Sequence, residues 1–327
     1  MARHKLLDEL DAKLPSFDGK VFAITGTTSG TGYEAARTAA KHGGKVLLLN
    51  RNSSRSEESL KRLKEAVPSG QFVPIECDLQ DFSSVKRAAE QIKNDHNKLY
   101  CLGNNAGIMA APDKATKDGY DTQMQTNHLS HFMLTAALYP LLEAQAQETG
   151  DARIVSHSSF GRLMTKNKRL ESKYFGKNGG NLGGDKLRFL KGPCFERYFQ
   201  TKLANSVFTV GLHQKLQARN SKVRAIAAHP GGSNTNLSDS LDFGFFINTG
   251  LKITMPFLGQ SPGDGAVGFV KAMMDPDAES GALYGPKDGG MKGRAVPNKL
   301  EPYETDSEQI EMLWKESEKA ISATFDL

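Results

Sequence analysis

KVFAITGTTSGTGYEAARTAAKHGGKVLLLN, residues 20–50, is the stretch that decides the fold. It opens on a short run, Lys20 to Thr25, whose β-branched and aromatic residues suit a buried strand. Three glycines follow, Gly26, Gly30 and Gly32. A helical run then extends from Tyr33 to about His42, where Gly43 and Gly44 stop it. KVLLLN (45–50) reads as a second buried strand. Glycines between a strand and a helix let the backbone turn sharply and approach a ligand closely. The first free N–H groups of the helix then offer partial positive charge to a phosphate.

The alternation continues outward from this stretch. Helices are expected over 56–66, 82–95 and 118–147, and strands at 71–77, 99–103, 152–158 and 222–229. Strands alternating with helices imply an α/β fold, a parallel sheet with helices on both faces. Neither an internal repeat nor an inter-domain linker interrupts the pattern, so 1–327 reads as a single domain. Residues 1–17 form an N-terminal extension. Residues 305–327 form an amphipathic closing helix with Met312, Leu313 and Trp314 on its apolar side.

Composition excludes several classes. The chain has 327 residues, 38% of them apolar, which is enough for a core inside a polar surface. No run approaches the roughly 18–20 apolar residues of a membrane span. The first twenty residues mix charges through their apolar positions, unlike a secretory signal. Cys77, Cys101 and Cys194 are too scattered for a disulfide framework or a metal knuckle, and no metal site is expected; they suit the cytoplasm or another reducing, soluble compartment. A net charge of +5 is too mild to argue for nucleic acid.

RYFQTKLANS (197–206) sets Tyr198 and Lys202 four positions apart, on one face of a helix. With the G-x-x-x-G-x-G spacing, this pair makes the chain resemble the short-chain dehydrogenase/reductase family over about residues 18–290. TGTTSGTG (25–32) resembles the family's cofactor loop, NNAG (104–107) its fourth-strand motif, and RIVSHSS (153–159) its serine strand. YFQTK (198–202) resembles its active-site helix, and HPGGSNT (229–235) the segment after the sixth strand. CDLQD (77–81) puts Asp78 at the position that contacts adenine, and TNHLSHF (126–132) puts Asn127 at the active-site asparagine. The resemblance implies a single-domain, doubly wound Rossmann-type sheet that binds a nicotinamide dinucleotide. It implies cofactor contacts from Gly26, Thr28, Ser29, Gly30, Thr31, Gly32, Asn50, Arg51, Asn52, Asp78, Leu79, Asn105, Ala106, Gly107, Tyr198, Lys202, Pro230, Gly231 and Thr235. It also implies that Asn127, Ser159, Tyr198 and Lys202 are catalytic.

The chemistry makes physical sense of those residues. Reducing a carbonyl delivers hydride to carbon and a proton to oxygen. A phenol can supply the proton, and a neighbouring ammonium is expected to lower its pKa from about 10. Lys202 is that ammonium, and by resemblance it also holds the nicotinamide ribose. A serine hydroxyl would hydrogen-bond the substrate oxygen as charge develops. Ser158 and Ser159 are both candidates, and the resemblance favours Ser159. Asn127 by resemblance holds a water that links Lys202 to solvent. His128, His131 and His157 read as structural. LLLNRNSSR (47–55) has no acid at Asn50 and an arginine next, which suits a 2′-phosphate and implies NADP(H) over NAD.

Two segments depart from the simplest pattern. Ser159 and Tyr198 stand 39 residues apart. The insert between them, 161–192, carries nine basic residues against two acidic ones and seven glycines. It reads either as a solvated, partly mobile loop or as a charged flap that guides an anionic ligand. Such extensions resemble the branch holding retinol dehydrogenases, the WW-domain oxidoreductase and protochlorophyllide reductases. Residues 236–262, rich in Phe243, Phe245, Phe246 and Phe257, read as a substrate lid or a packed helix pair. The expected activity is hydride transfer with a carbonyl or alcohol of a medium-to-large, mostly apolar compound. Reduction of a C=C bond, or a non-catalytic nucleotide-binding role, is the alternative. The family often forms dimers, so a homodimer is an expectation too.

Overall fold

The structure is a computed structural model and describes residues 4–184, 192–231 and 261–327. In chain order, α1 is Lys5–Asp11, β1 Val21–Thr25, α2 Gly30–Lys41, β2 Lys45–Asn50, α3 Ser54–Ala66, β3 Gln71–Glu76, α4 Phe82–Asp95 and β4 Cys101–Asn104. Then come α5 Thr122–Met124, a π-turn at Gln125–Leu129, α6 Ser130–Thr149, β5 Ala152–His157, α7 Pro193–Ala218 and β6 Val223–Ala228. The described chain ends with α8 Pro262–Met274, β7 Leu283–Asp288, β8 Lys292–Pro297 and α9 Ser307–Ile321.

The strands form one sheet in the order β3-β2-β1-β4-β5-β6-β7-β8. Pairing is parallel throughout, except that β8 returns antiparallel beside β7. The expected α/β sheet is therefore present, with β7, β8 and α8 as elements that the sequence reading omits. The strand order reverses direction between β1 and β4, which opens a crevice at the carboxyl ends of the strands.

Alternation along the strands feeds two cores. Phe22 and Ile24 of β1, with Val46 and Leu48 of β2, pack on one face against Ala35, Ala36 and Ala39 of α2. Ala23, Leu47 and Leu49 point to the other face, towards Phe132, Leu203, Phe208 and Trp314. The side-chain period of two in a strand dictates this division. Residues 4–17 are a packed part of the fold: Asp264 of α8 accepts the Leu6 N–H at 2.8 Å, and Leu7 is buried.

Three expectations are corrected. The long helix expected at 118–147 begins only at Thr122, and its continuous run to Thr149 carries a π-turn at Gln125–Leu129 that contains Asn127. α2 begins at Gly30, three residues earlier than read, because glycine adopts the positive φ of 58° that opens it. The described part of the insert, 161–184, keeps Lys166, Lys168 and Arg169 exposed to solvent but is anchored to the fold elsewhere. Arg162 is buried in an ion pair with Glu304, and Leu170, Tyr174 and Phe175 join the core. The Leu170 N–H donates to Gln309 at 2.6 Å and the Glu171 N–H to Gln200 at 3.0 Å. Asp113 accepts N–H groups of Gly180, Leu182 and Gly183. Charge and glycine content suggested solvent exposure, but long-range partners supply the packing. Residues 185–191 of the insert lie outside the described residues.

Candidate active site

The glycine-rich turn sits at the end of β1, at the crevice. Gly26 has φ 70°, and a Cβ on it would lie 2.8 Å from the Cβ of Ala106. A Cβ on Gly32 would overlap the Gly26 carbonyl and the Asn105 amide. These glycines let the turn pack against Ala106, Asn105 and its own backbone more closely than any side chain would allow. The Thr31 hydroxyl, at the start of α2, is buried without a hydrogen-bond partner among the described residues. A glycine cradle, a helix N-terminus and an orphaned donor fit the pyrophosphate of a dinucleotide.

The turn is pinned from several sides. Asn50 accepts the Thr27 N–H at 2.8 Å and donates to the Thr27 hydroxyl at 2.7 Å, so its amide serves the turn. From α3, Ser59 donates to the Thr27 carbonyl at 2.9 Å and Arg62 to the Thr28 carbonyl at 2.9 Å. Asn105 donates to the carbonyls of Thr25 and Gly26, at 2.9 and 3.1 Å. The Thr25 hydroxyl accepts the N–H groups of Asn105 and Ala106, both at 3.0 Å. Arg51 and Asn52 are exposed beyond β2. Asp78 accepts the Gln80 N–H at 3.0 Å, and Leu79 is buried. Pro230 and Gly231 follow β6, Gly231 with φ 65°. Thr235, and 236–260 of the expected lid, lie outside the described residues.

Four polar side chains converge beside this cradle. Tyr198 is buried on α7, and Ser159, whose hydroxyl accepts the Gly161 N–H at 3.1 Å, is the side chain that favours its phenolate. Ser158 is turned away: its hydroxyl donates to the Lys202 carbonyl at 2.8 Å. The Lys202 ammonium donates to the His157 carbonyl at 3.0 Å and lies 5.7 Å from the centre of the Tyr198 ring. Asn127 accepts the Ile108 N–H at 2.8 Å and donates to the Ile108 carbonyl and to Thr201, both at 2.9 Å. A Cβ on Gly107 would sit 3.2 Å from the Asn127 oxygen and 3.4 Å from the Lys202 nitrogen, so Gly107 faces both. The π-turn brings Asn127 there; such turns recur at functional sites.

The electrostatics correct one expectation. Burial pushes the Tyr198 phenol up to about 12, and the nearby Ser159 side chain pulls the other way. Burial also lowers the Lys202 ammonium to about 8. Desolvation, absent from a reading of spacing, is the largest cause, and Lys202 is not among the groups that shift the phenol. Tyr198 is thus a neutral phenol near pH 7, the form able to donate a proton.

The histidines are internal. His131 shares a 2.9 Å hydrogen bond with Thr25, and His157 shares one of 2.9 Å with Asn105. His128 sits between Asn205 (3.3 Å) and Ser317 (3.0 Å). Burial lowers His128 and His157 to about 3 and His131 to about 4, so all three stay neutral. The sequence reading omitted Arg197, which is buried one residue before Tyr198. It pairs with Asp121 at 2.6 Å and donates to the carbonyls of Ala111 and Gly183. Its sequence neighbours, Glu196, Gln200 and Lys202 among them, carry no signal of a buried partner. No helix among the described residues is long and apolar enough to cross a membrane.

The family model for short chain dehydrogenases matches residues 20–169. A short-chain dehydrogenase/reductase of Aspergillus calidoustus, drtF, is 31% identical over 320 residues, covering 94% of this chain and 95% of the relative. Retinol dehydrogenase 12 of Mus musculus is 35% identical over 214 residues, covering 65% of this chain and 61% of that one. The crystal structure of an uncharacterised protein from Mycobacterium paratuberculosis matches with a TM-score of 0.74 at 31% identity, covering 97% and 98% of the two chains. The chain belongs to the short-chain dehydrogenase/reductase family and is a nucleotide-binding oxidoreductase.

Proposed function

We propose that the protein is an NADP(H)-dependent oxidoreductase acting on the carbonyl or alcohol of a medium-to-large, mostly apolar compound. The observation that carries this reading is the convergence of Tyr198 and Lys202, 5.7 Å apart from ring centre to ammonium, with Asn127 facing the same Gly107 and Ser159 acting on the phenol. In the carbonyl-reducing direction, the neutral Tyr198 phenol donates its proton to the substrate oxygen. Ser159 donates a hydrogen bond to the same oxygen and stabilises its growing negative charge. Lys202 holds positive charge next to the phenol and so stabilises the phenolate left after transfer. Asn127 fixes the loop at Ile108 and orders the path by which the proton is replaced. A bound nicotinamide nucleotide supplies or accepts the hydride.

Gly26, Thr28, Ser29, Gly30, Thr31 and Gly32 would hold its pyrophosphate side. Asp78 and Leu79 would meet the adenine. Asn105, Ala106, Gly107, Tyr198, Lys202, Pro230, Gly231 and Thr235 would hold the nicotinamide half. Arg51 and Asn52, exposed at the end of β2, favour a 2′-phosphate. The apolar substrate class is supported by Phe160 beside Ser159, by Met164 and by Met291, the exposed large apolar side chains among the described residues. The test is NADPH consumption over aldehydes, ketones, quinones and retinoids, each repeated with NADH. Turnover with at least one of these, and a higher kcat/KM for NADPH, is expected. Equal or better use of NADH would contradict the NADP(H) assignment.

A further inference from the structure

The sequence reading puts the charge that distinguishes NADP(H) on Arg51, but the fold brings a second guanidinium to the same edge. Arg62 lies two turns into α3, where spacing alone gives it no link to a cofactor. Its guanidinium reaches back to the glycine-rich turn and donates to the Thr28 carbonyl at 2.9 Å. The same group lies over the Tyr33 ring, 4.8 Å from its centre. Thr28 is one residue from Thr27, which Asn50 binds from the end of β2. Arg62 therefore stands where the end of β2 meets the turn, the place at which a dinucleotide's adenosine ribose lies.

The turn from Gly26 to Gly32 has no basic residue of its own. Asn50 is occupied with Thr27, and neither Arg51 nor Arg62 forms an ion pair among the described residues. Glu34, next to Tyr33, is taken by Arg37 at 2.8 Å. Glu65 also acts on Tyr33, so Arg62 is not the only charge nearby. One nitrogen of Arg62 serves Thr28. The remaining donors of a planar fork suit a phosphate, and the carbonyl and the ring hold that fork in place beforehand.

We infer that Arg62 is a specificity-determining residue that recognises the 2′-phosphate of NADP(H) together with Arg51. This rests on the NADP(H) reading above. The experiment measures binding, by quenching or enhancement of cofactor fluorescence, for NADPH and NADH with the full chain and with Arg62→Gln and Arg62→Lys. Competition by 2′,5′-ADP against 5′-AMP reads the phosphate alone. Arg62→Gln should weaken NADPH and 2′,5′-ADP by about tenfold, leave NADH and 5′-AMP within about twofold, and flatten the salt dependence of NADPH binding. Arg62→Lys should recover part of the loss. Equal weakening of both cofactors would mean that Arg62 only props the turn, and would overturn the inference. Unchanged NADPH binding would overturn it as well. A parent protein that binds NADH as tightly as NADPH would remove the NADP(H) reading itself and this inference with it. That failure is seen before any substitution is made.

Discussion

The glycine-rich turn at 26–32 and the insert at 161–184 are both irregular, glycine-bearing segments beside one cleft, yet they are held in opposite ways. The turn is shaped by what it lacks. Without side chains, Gly26 and Gly32 let neighbouring atoms approach to distances that no Cβ would permit. The insert is shaped by what it gains from afar: Glu304 for Arg162, Gln309 for Leu170 and Asp113 for three of its amides. A backbone requirement is written in adjacent residues. A long-range partner is not.

The comparison can be broken by swapping the kind of damage. Gly32→Ala should weaken dinucleotide binding on the order of a hundredfold, because the turn must move where atoms already touch. Cofactor titration checks this. If Gly32→Ala binds NADPH as the parent does, the cradle is not what the glycine preserves. Glu304→Ala should cost about 3–5 kcal/mol of stability, since it leaves the Arg162 charge buried and unpaired. Denaturant unfolding checks this, and a loss under about 1 kcal/mol would mean that the insert is held by other contacts.

A third effect is smaller and sharpens the insert side. His128 packs against Phe175 of the insert at 5.7 Å and is held neutral by burial, well below its usual value. A base whose folded pKa is lowered contributes full stability above its unfolded value. That stability is lost as pH falls, here from about 6.5 towards 3. His131 and His157 act in the same direction. Each histidine steepens the loss by up to about 1.4 kcal/mol per pH unit. His128→Asn should flatten the decline in melting temperature between pH 6.5 and 4 relative to the parent. An unchanged slope would take His128 out of the acid response.

Much of the architecture is legible before folding. Alternating residues of 21–25 and 45–50 foretell two cores, and the strand–glycine–helix order foretells the crevice. The positions of Tyr198, Lys202, Ser159 and Asn127 are legible because their motifs are local. The raised pKa of Tyr198 is not, because burial comes from residues far along the chain. The partners of Arg162, Arg62 and Arg197 are illegible for the same reason. Lys, Arg and Gly at 161–184 look like a solvated loop until Glu304, Gln309 and Asp113 arrive. The β7–β8 pair hides because KGRAVP (292–297) has little of the apolar alternation that marks a half-buried strand.

The central claim is that Tyr198 donates the proton in hydride transfer to a carbonyl. The most direct test is Tyr198→Phe, which removes one hydroxyl and leaves the glycine-rich turn untouched. NADPH binding and NADPH turnover are measured on the same preparation, with the best carbonyl compound from the parent's screen. The account predicts a dissociation constant for NADPH within about twofold of the parent, with kcat reduced by two or more orders of magnitude. Turnover at the parent's rate would contradict it.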